Sequence, residues 1–163
     1  MKKLRLWLPF FLFLPLFLPL SHAEEAKNPV KKITLDEFKK LVSDKTACFL
    51  VTVTASWCGP CKEELPDLVR LNRKYRDQGI RVIGLSVDYA GPEAMQPVID
   101  QYHVDFPVYW AGEAAIEAFG ISGIPLLLFF RDGTVTERIV GKHPENVVEE
   151  KLAAFLSGKK QSH

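Results

Sequence analysis

The apolar residues of this chain fall into unbroken blocks and helically spaced sets, and the order of the two kinds predicts its elements. The block at 47–55, Ala-Cys-Phe-Leu-Val-Thr-Val-Thr-Ala, is β-branched and uncharged, the composition of a central strand buried on both faces. A second block, Arg-Val-Ile-Gly-Leu-Ser-Val at 81–87, predicts another strand. Between them 59–77 reads as a helix stopped by Gly79, so strand, helix and strand make a parallel crossover unit. Further on, 126–130 and 134–140 flank Asp132-Gly133, the strongest short-range signal for a two-residue hairpin turn.

The remaining pattern is helical. Thr34-Leu35-Asp36-Glu37 forms a capping box that opens a helix through Val42, burying Leu35, Phe38 and Leu41. Helices are predicted over 93–102, with Pro97 inside, and over 113–119, ended by Gly120, with a short strand at 106–109 before the second. A last amphipathic helix at 144–156 turns Val147, Val148, Leu152, Phe155 and Leu156 inward. From Ser157 to residue 163 the chain reads as a polar, frayed tail.

The first 23 residues follow a different logic. Lys2, Lys3 and Arg5 precede the apolar run 6–20, and Ser21-His22-Ala23 supplies small residues for a cleavage site. This predicts a secretory signal peptide at 1–23. The rival is an uncleaved membrane anchor, against which stand Pro9, Pro15, Pro19 and a run short of the roughly 20 residues that a spanning helix needs. No cysteine lies there to accept a lipid. The charged stretch 24–32, with Pro29, reads as a flexible lead-in to one domain at 33–156. The chain's 163 residues and 47% hydrophobic content suffice for one core. Cleavage removes three of the 21 basic residues against 20 acidic ones, moving the formal charge from +1 to −2. Nothing in that balance suggests a nucleic-acid partner, and none is expected. Export places the protein in an oxidising compartment, periplasmic or otherwise extracytoplasmic.

Candidate chemistry lies where the first strand meets its helix, at Trp57-Cys58-Gly59-Pro60-Cys61. Cysteines at i and i+3 of a helix start can close a disulfide, and the unpaired amides there favour a thiolate, the nucleophilic form. Three readings are open for the pair: a redox dithiol, a structural staple, or a zinc or copper site. So short a loop removes little entropy from the unfolded chain, which weakens the staple. Zinc needs four ligands as a rule, and neither a second Cys-X-X-Cys nor a paired histidine is present; His103 and His143 lie far apart. No metal and no bound cofactor is assigned. In the redox reading Cys58 is a partly exposed nucleophile, its pKa below the thiol reference of about 8.5, and Cys61 is the more buried resolving thiol. Glu64, three residues after Cys61, shares its helix face; spacing alone leaves it either a proton acceptor or an ordinary exposed carboxylate. Cys48 lies about 20 Å along the strand from this site, beyond disulfide reach, and reads as a small buried hydrophobe.

The order of elements with this motif at the first strand-helix junction resembles the thioredoxin fold: an α/β domain whose central mixed sheet is flanked by helices. Pro125 in Gly-Ile-Pro before the hairpin, the Asp-Gly turn and Gly141 after it fit the same fold. Within that superfamily the chain is most similar to exported TlpA/ResA-like thiol-disulfide oxidoreductases. Their insertion before the C-terminal hairpin corresponds to residues 88–119, and their Cys-X-X-Cys-Lys-X-Glu-X-Pro pattern to Cys58, Cys61, Lys62, Glu64 and Pro66. Where that family often carries a polar or acidic residue six positions before the first cysteine, this chain has Thr52, whose hydroxyl is no proton acceptor near neutral pH.

The resemblance implies that Glu64 is a buried base with a raised pKa, shuttling the proton of Cys61. It implies a cis-Pro125 facing the dithiol, with the Ile124 backbone offered to an extended client peptide. Trp57 is expected as an aromatic flanking the thiolate, or as simple packing; Tyr89 and Trp110 are assigned no role. Gly59-Pro60 resembles the dipeptide of reducing thioredoxins, which implies reduction of disulfide-containing client proteins, with apocytochrome c and a role in cytochrome c biogenesis among the candidates. Electrons would come from a membrane thiol transporter. The alternatives are a general disulfide oxidase or isomerase, and a client-binding or metal-carrying module that does not turn over.

Overall fold

The computed structural model describes residues 28–159. The expected signal peptide lies outside them, as do residues 24–27 of the expected lead-in and the last four residues of the chain. In chain order the elements are β1 (Lys31–Lys32), α1 (Leu35–Val42), β2 (Cys48–Thr54), α2 (Gly59–Tyr75), β3 (Ile80–Ser86), α3 (Pro92–Gln101), β4 (Val108–Trp110), α4 (Glu113–Ala118), β5 (Leu126–Arg131), β6 (Thr134–Val140) and α5 (Glu145–Lys159). A single 3-10 turn at Arg76–Gln78 follows α2 and ends at Gly79 in the left-handed region.

The strands form one sheet in the order β1-β4-β3-β2-β5-β6. β1 to β4 run parallel, β5 runs antiparallel to β2, and β6, antiparallel to β5, returns to the direction of the first four. β2 lies at the centre, paired with β3 over its whole length and with β5 from Phe49 to Val53, and all seven of its residues are buried. Its alternation divides the core. Phe49, Val51 and Val53 face α1 and α4 in a cluster with Phe38, Ala115, Phe119 and both motif cysteines. Cys48 and Leu50 face the other way, among Leu65 and Leu68 of α2, Met95 of α3 and Val148 and Leu152 of α5. Each such fully buried side chain contributes roughly 1.5–3 kcal/mol. Cys48 is a free, buried thiol.

Local signals act as the sequence indicates. The Thr34 hydroxyl accepts the Glu37 amide while the Glu37 carboxylate accepts the Thr34 amide, closing the capping box. Asp132 and Gly133 both adopt positive φ, 51° and 77°, as a tight hairpin turn requires. On α1, however, Phe38 and Val42 are fully buried, whereas Leu35 and Leu41 only flank the cluster.

Two stretches differ from the sequence expectation. Within 24–32, expected as a flexible lead-in, Lys31 and Lys32 pair with Tyr109 and Trp110 as an edge strand. Just before them the Asn28 amide donates to the carbonyls of Val104 and Phe106, and the Val30 amide to Gln96. At the other end α5 continues through Ser157, where a frayed tail was expected. The Ser157 hydroxyl donates to the Ala153 carbonyl and the Arg131 guanidinium to that of Phe155, tying the last turns of the helix to themselves and to β5.

Candidate functional site

The carboxyl ends of β2 and β3 and the amino end of β5 meet at one edge of the sheet, because β5 runs against its neighbour and Leu126 lies opposite Val53. Open α/β sheets bind their ligands at such an edge. β2 ends at Thr54, and the chain turns through Ala55, Ser56 and Trp57 before α2 begins, with the Cys58 amide donating to the Ala55 carbonyl. Cys58 is the N-cap of α2: its backbone is extended (φ −86°, ψ 103°), and its sulfur accepts the Cys61 amide at 3.2 Å. Pro60 follows in the first turn, where its missing N–H costs nothing, and that turn contains no acid to oppose a thiolate.

Cys58 and Cys61 are joined by a disulfide, with Cα atoms 5.3 Å apart. Cys58 is 5% exposed and Cys61 2%. The order of exposure is as expected, yet Cys58 is not the partly exposed residue the sequence suggested. The closed disulfide turns its sulfur toward Cys61 and into the cluster with Val53 and Ala55.

One helical turn after Cys61, Glu64 is 1% exposed, and among the described residues neither of its carboxylate oxygens finds a hydrogen-bond partner. Burial pushes its pKa up from 4.5 to about 7, and the neighbouring Asp67 charge adds to the rise; the Lys142 ammonium and the His143 amide, which lies near but outside hydrogen-bond geometry, pull the other way. Lys142 itself is tied to the exposed Glu63 at 2.6 Å. Thr52 is buried in β2, opposite Gly84 and Leu127, and the Thr54 hydroxyl is buried without a partner. Glu64 is thus the carboxylate nearest in sequence to the dithiol that is both buried and unpaired.

The Ile124–Pro125 peptide is cis, and the Pro125 carbonyl accepts the Gly141 amide at 2.8 Å. Pro125 is buried, and half-buried Ile124 packs on the same cluster as the two cysteines. The amide and carbonyl of Ile124 take no part in the turn and loop hydrogen bonds of the described residues. Trp57 is 58% exposed and stacks on Tyr89, itself 74% exposed, with ring centroids 6.3 Å apart and planes 7° from parallel. Trp110 is half-buried and donates its indole N–H to the Asp88 carbonyl at 2.7 Å.

The sequence reading missed Asp88. Its carboxylate is buried and accepts the Ser56 amide (3.0 and 3.1 Å), the Ser56 hydroxyl (2.6 Å) and the Ser86 hydroxyl (2.8 Å). An acid at the carboxyl end of a central strand was the available signal. Among the described residues no group of three His, Cys, Asp or Glu side chains is gathered as a metal site requires, and no helix is long and apolar enough to cross a membrane.

Comparison with known proteins agrees with this geometry. The Redoxin family model matches residues 22–156. The thiol-disulfide oxidoreductase ResA of Bacillus thuringiensis subsp. konkukian is 32% identical over 124 residues, covering 75% of this chain and 68% of that protein. ResA of Bacillus thuringiensis strain Al Hakam is 32% identical over 96 residues, and there the match spans 58% of this chain and just over half, 55%, of the relative. Among solved structures, one described as the thiol:disulfide interchange protein DsbE of Chlorobium tepidum superposes with a TM-score of 0.65 at 26% identity, covering 71% of this chain and 84% of that one. The chain belongs to the redoxin family, as a TlpA/ResA-like protein with the thioredoxin fold.

Proposed function

We propose that this protein is an exported thiol-disulfide oxidoreductase that reduces disulfides of client proteins outside the cytoplasm, apocytochrome c being one candidate. The observation that carries the reading is the Cys58–Cys61 pair at the N-terminus of α2, with unpaired, buried Glu64 one turn further on. The relatives' description as thiol-disulfide oxidoreductases supports it, and the leader pattern at 1–23 supports export.

In the reduced protein the Cys58 thiolate, held by the Cys61 amide and the helix end, attacks one sulfur of the client disulfide; a mixed disulfide forms and one client thiolate leaves. Cys61 passes its proton to the Glu64 carboxylate and attacks the Cys58 sulfur. The Cys58–Cys61 bond closes, the second client thiolate leaves, and two electrons have moved from protein to client. The exposed Trp57 and the free backbone of Ile124 beside Pro125 hold the client chain in extended form across Cys58. A membrane thiol transporter, acting as a dithiol donor, then restores the reduced pair.

Trapping tests this. A Cys61→Ser protein expressed in its own compartment should accumulate mixed disulfides through Cys58, released by dithiothreitol; if none forms, the site is a binding module and not a turning-over enzyme.

A further inference from the structure

Asp88 and Tyr89 lie side by side after β3, and Ser56 and Trp57 lie side by side before Cys58. The two pairs grip each other. The Asp88 carboxylate takes both the amide and the hydroxyl of Ser56, and Tyr89 lies flat on Trp57. The clamp is fixed from behind by the Ser86 hydroxyl on the same carboxylate and by the Trp110 indole on the Asp88 carbonyl. A buried carboxylate is costly unless its oxygens are satisfied, and here three donor groups converge on it with no Lys or Arg paired to it among the described residues. Two large aromatic side chains meanwhile lie open to solvent beside the nucleophile, where folding alone would favour burying them.

We propose that Asp88 is a positioning residue for the client-contacting turn, holding Ser56 and delivering Tyr89 onto Trp57, so that the paired rings select clients with apolar residues flanking their cysteine. The inference rests on the oxidoreductase reading above and adds to it a preference in client chemistry. A client sulfur bonded to Cys58 brings its own neighbours within a residue's length of the Trp57 indole, because Trp57 directly precedes Cys58. An apolar side chain there covers the exposed ring faces, whereas a polar one gains nothing. A surface already held in place loses little freedom on binding.

The test is a single turnover by pre-reduced protein of two cyclic peptide disulfides that differ only in the residues flanking the first cysteine, Leu in one and Ser in the other. Wild-type protein should react about tenfold faster with the Leu peptide, the worth of one or two methylenes covered. Tyr89→Ala and Asp88→Ala should each bring that ratio to within about twofold, and Asp88→Asn, which keeps one acceptor oxygen, should restore part of it. Ser86→Ala, which removes one of the three donor groups on the same carboxylate, should lower the ratio by less than Asp88→Ala does. Were Asp88 merely structural, its loss would slow both peptides alike and leave the ratio in place, which would overturn the proposal. So would a wild-type ratio near one, or a Tyr89→Ala ratio equal to wild type. If wild-type protein reacts with neither peptide, the oxidoreductase reading itself falls, and the preference with it.

Discussion

Glu64 follows Cys61 by one turn of α2, and both side chains are buried while the Glu64 oxygens have no partner. A carboxylate in that setting resists charging, and its value of about 7 lets it take up and give back a proton near neutral pH. Replacing Glu64 by Gln should therefore remove an inflection near pH 7 from the rate at which Cys61 resolves the mixed disulfide. Above that pH it should slow the step roughly tenfold to a hundredfold. Stopped-flow measurement across pH 5 to 9 reads this directly, and an unchanged profile would leave Glu64 without a part in proton transfer.

The same group sets a pH dependence of stability. Its folded pKa is raised, so below pH 4.5 it is protonated in both states and costs nothing. As pH climbs to about 7 the unfolded chain releases the proton while the folded one keeps it, and stability falls. Above pH 7 the loss is complete, about 3 kcal/mol in order of magnitude. Denaturant titrations of wild type and Glu64→Gln should draw apart in the variant's favour between those limits, with parallel curves counting against the raised pKa.

Direction of electron flow is checked by the reduction potential of the pair. Equilibration with glutathione or dithiothreitol should give a value near that of reducing thioredoxins, about −270 mV, and not the roughly −120 mV of a strong oxidant. A value at the oxidising end would turn the assignment toward the oxidase or isomerase.

Gly133 tests the hairpin. Its φ of +77° suits glycine, and an added Cβ would lie 2.6 Å from the Ser43 hydroxyl and 3.3 Å from the Ser43 backbone. Gly133→Ala should cost about 1–3 kcal/mol in thermal or denaturant unfolding, with the redox potential of the distant dithiol unmoved.

What was legible in the sequence was local. The capping box at Thr34, the uncharged block of β2 and the Asp132-Gly133 turn each carry their signal within a few residues, and each stands where the pattern put it. The burial of Glu64 could not be read from spacing alone, since Glu63 beside it is exposed and paired with Lys142; the family pattern around Cys61 distinguished the two. Asp88 escaped because its partner Ser56 lies 32 residues away, and a lone aspartate after a strand is more often solvated. Asn28 escaped for the same reason, as its bonds reach across 76 and 78 residues.

The place of β2 at the middle of the sheet carries a mechanical consequence. It is bonded on one side along its full length and on the other over five residues, and covered on both faces. That strand belongs to the part of a fold that opens only when the whole domain does. Because the turn at Ser56 and Trp57 is held by Asp88 and Tyr89, exchange of one disulfide for another would have to be absorbed by the first turn of α2. In the proposed reaction the pair would be a small tip on a fixed mount, where a shift of a single sulfur changes the surface a client meets.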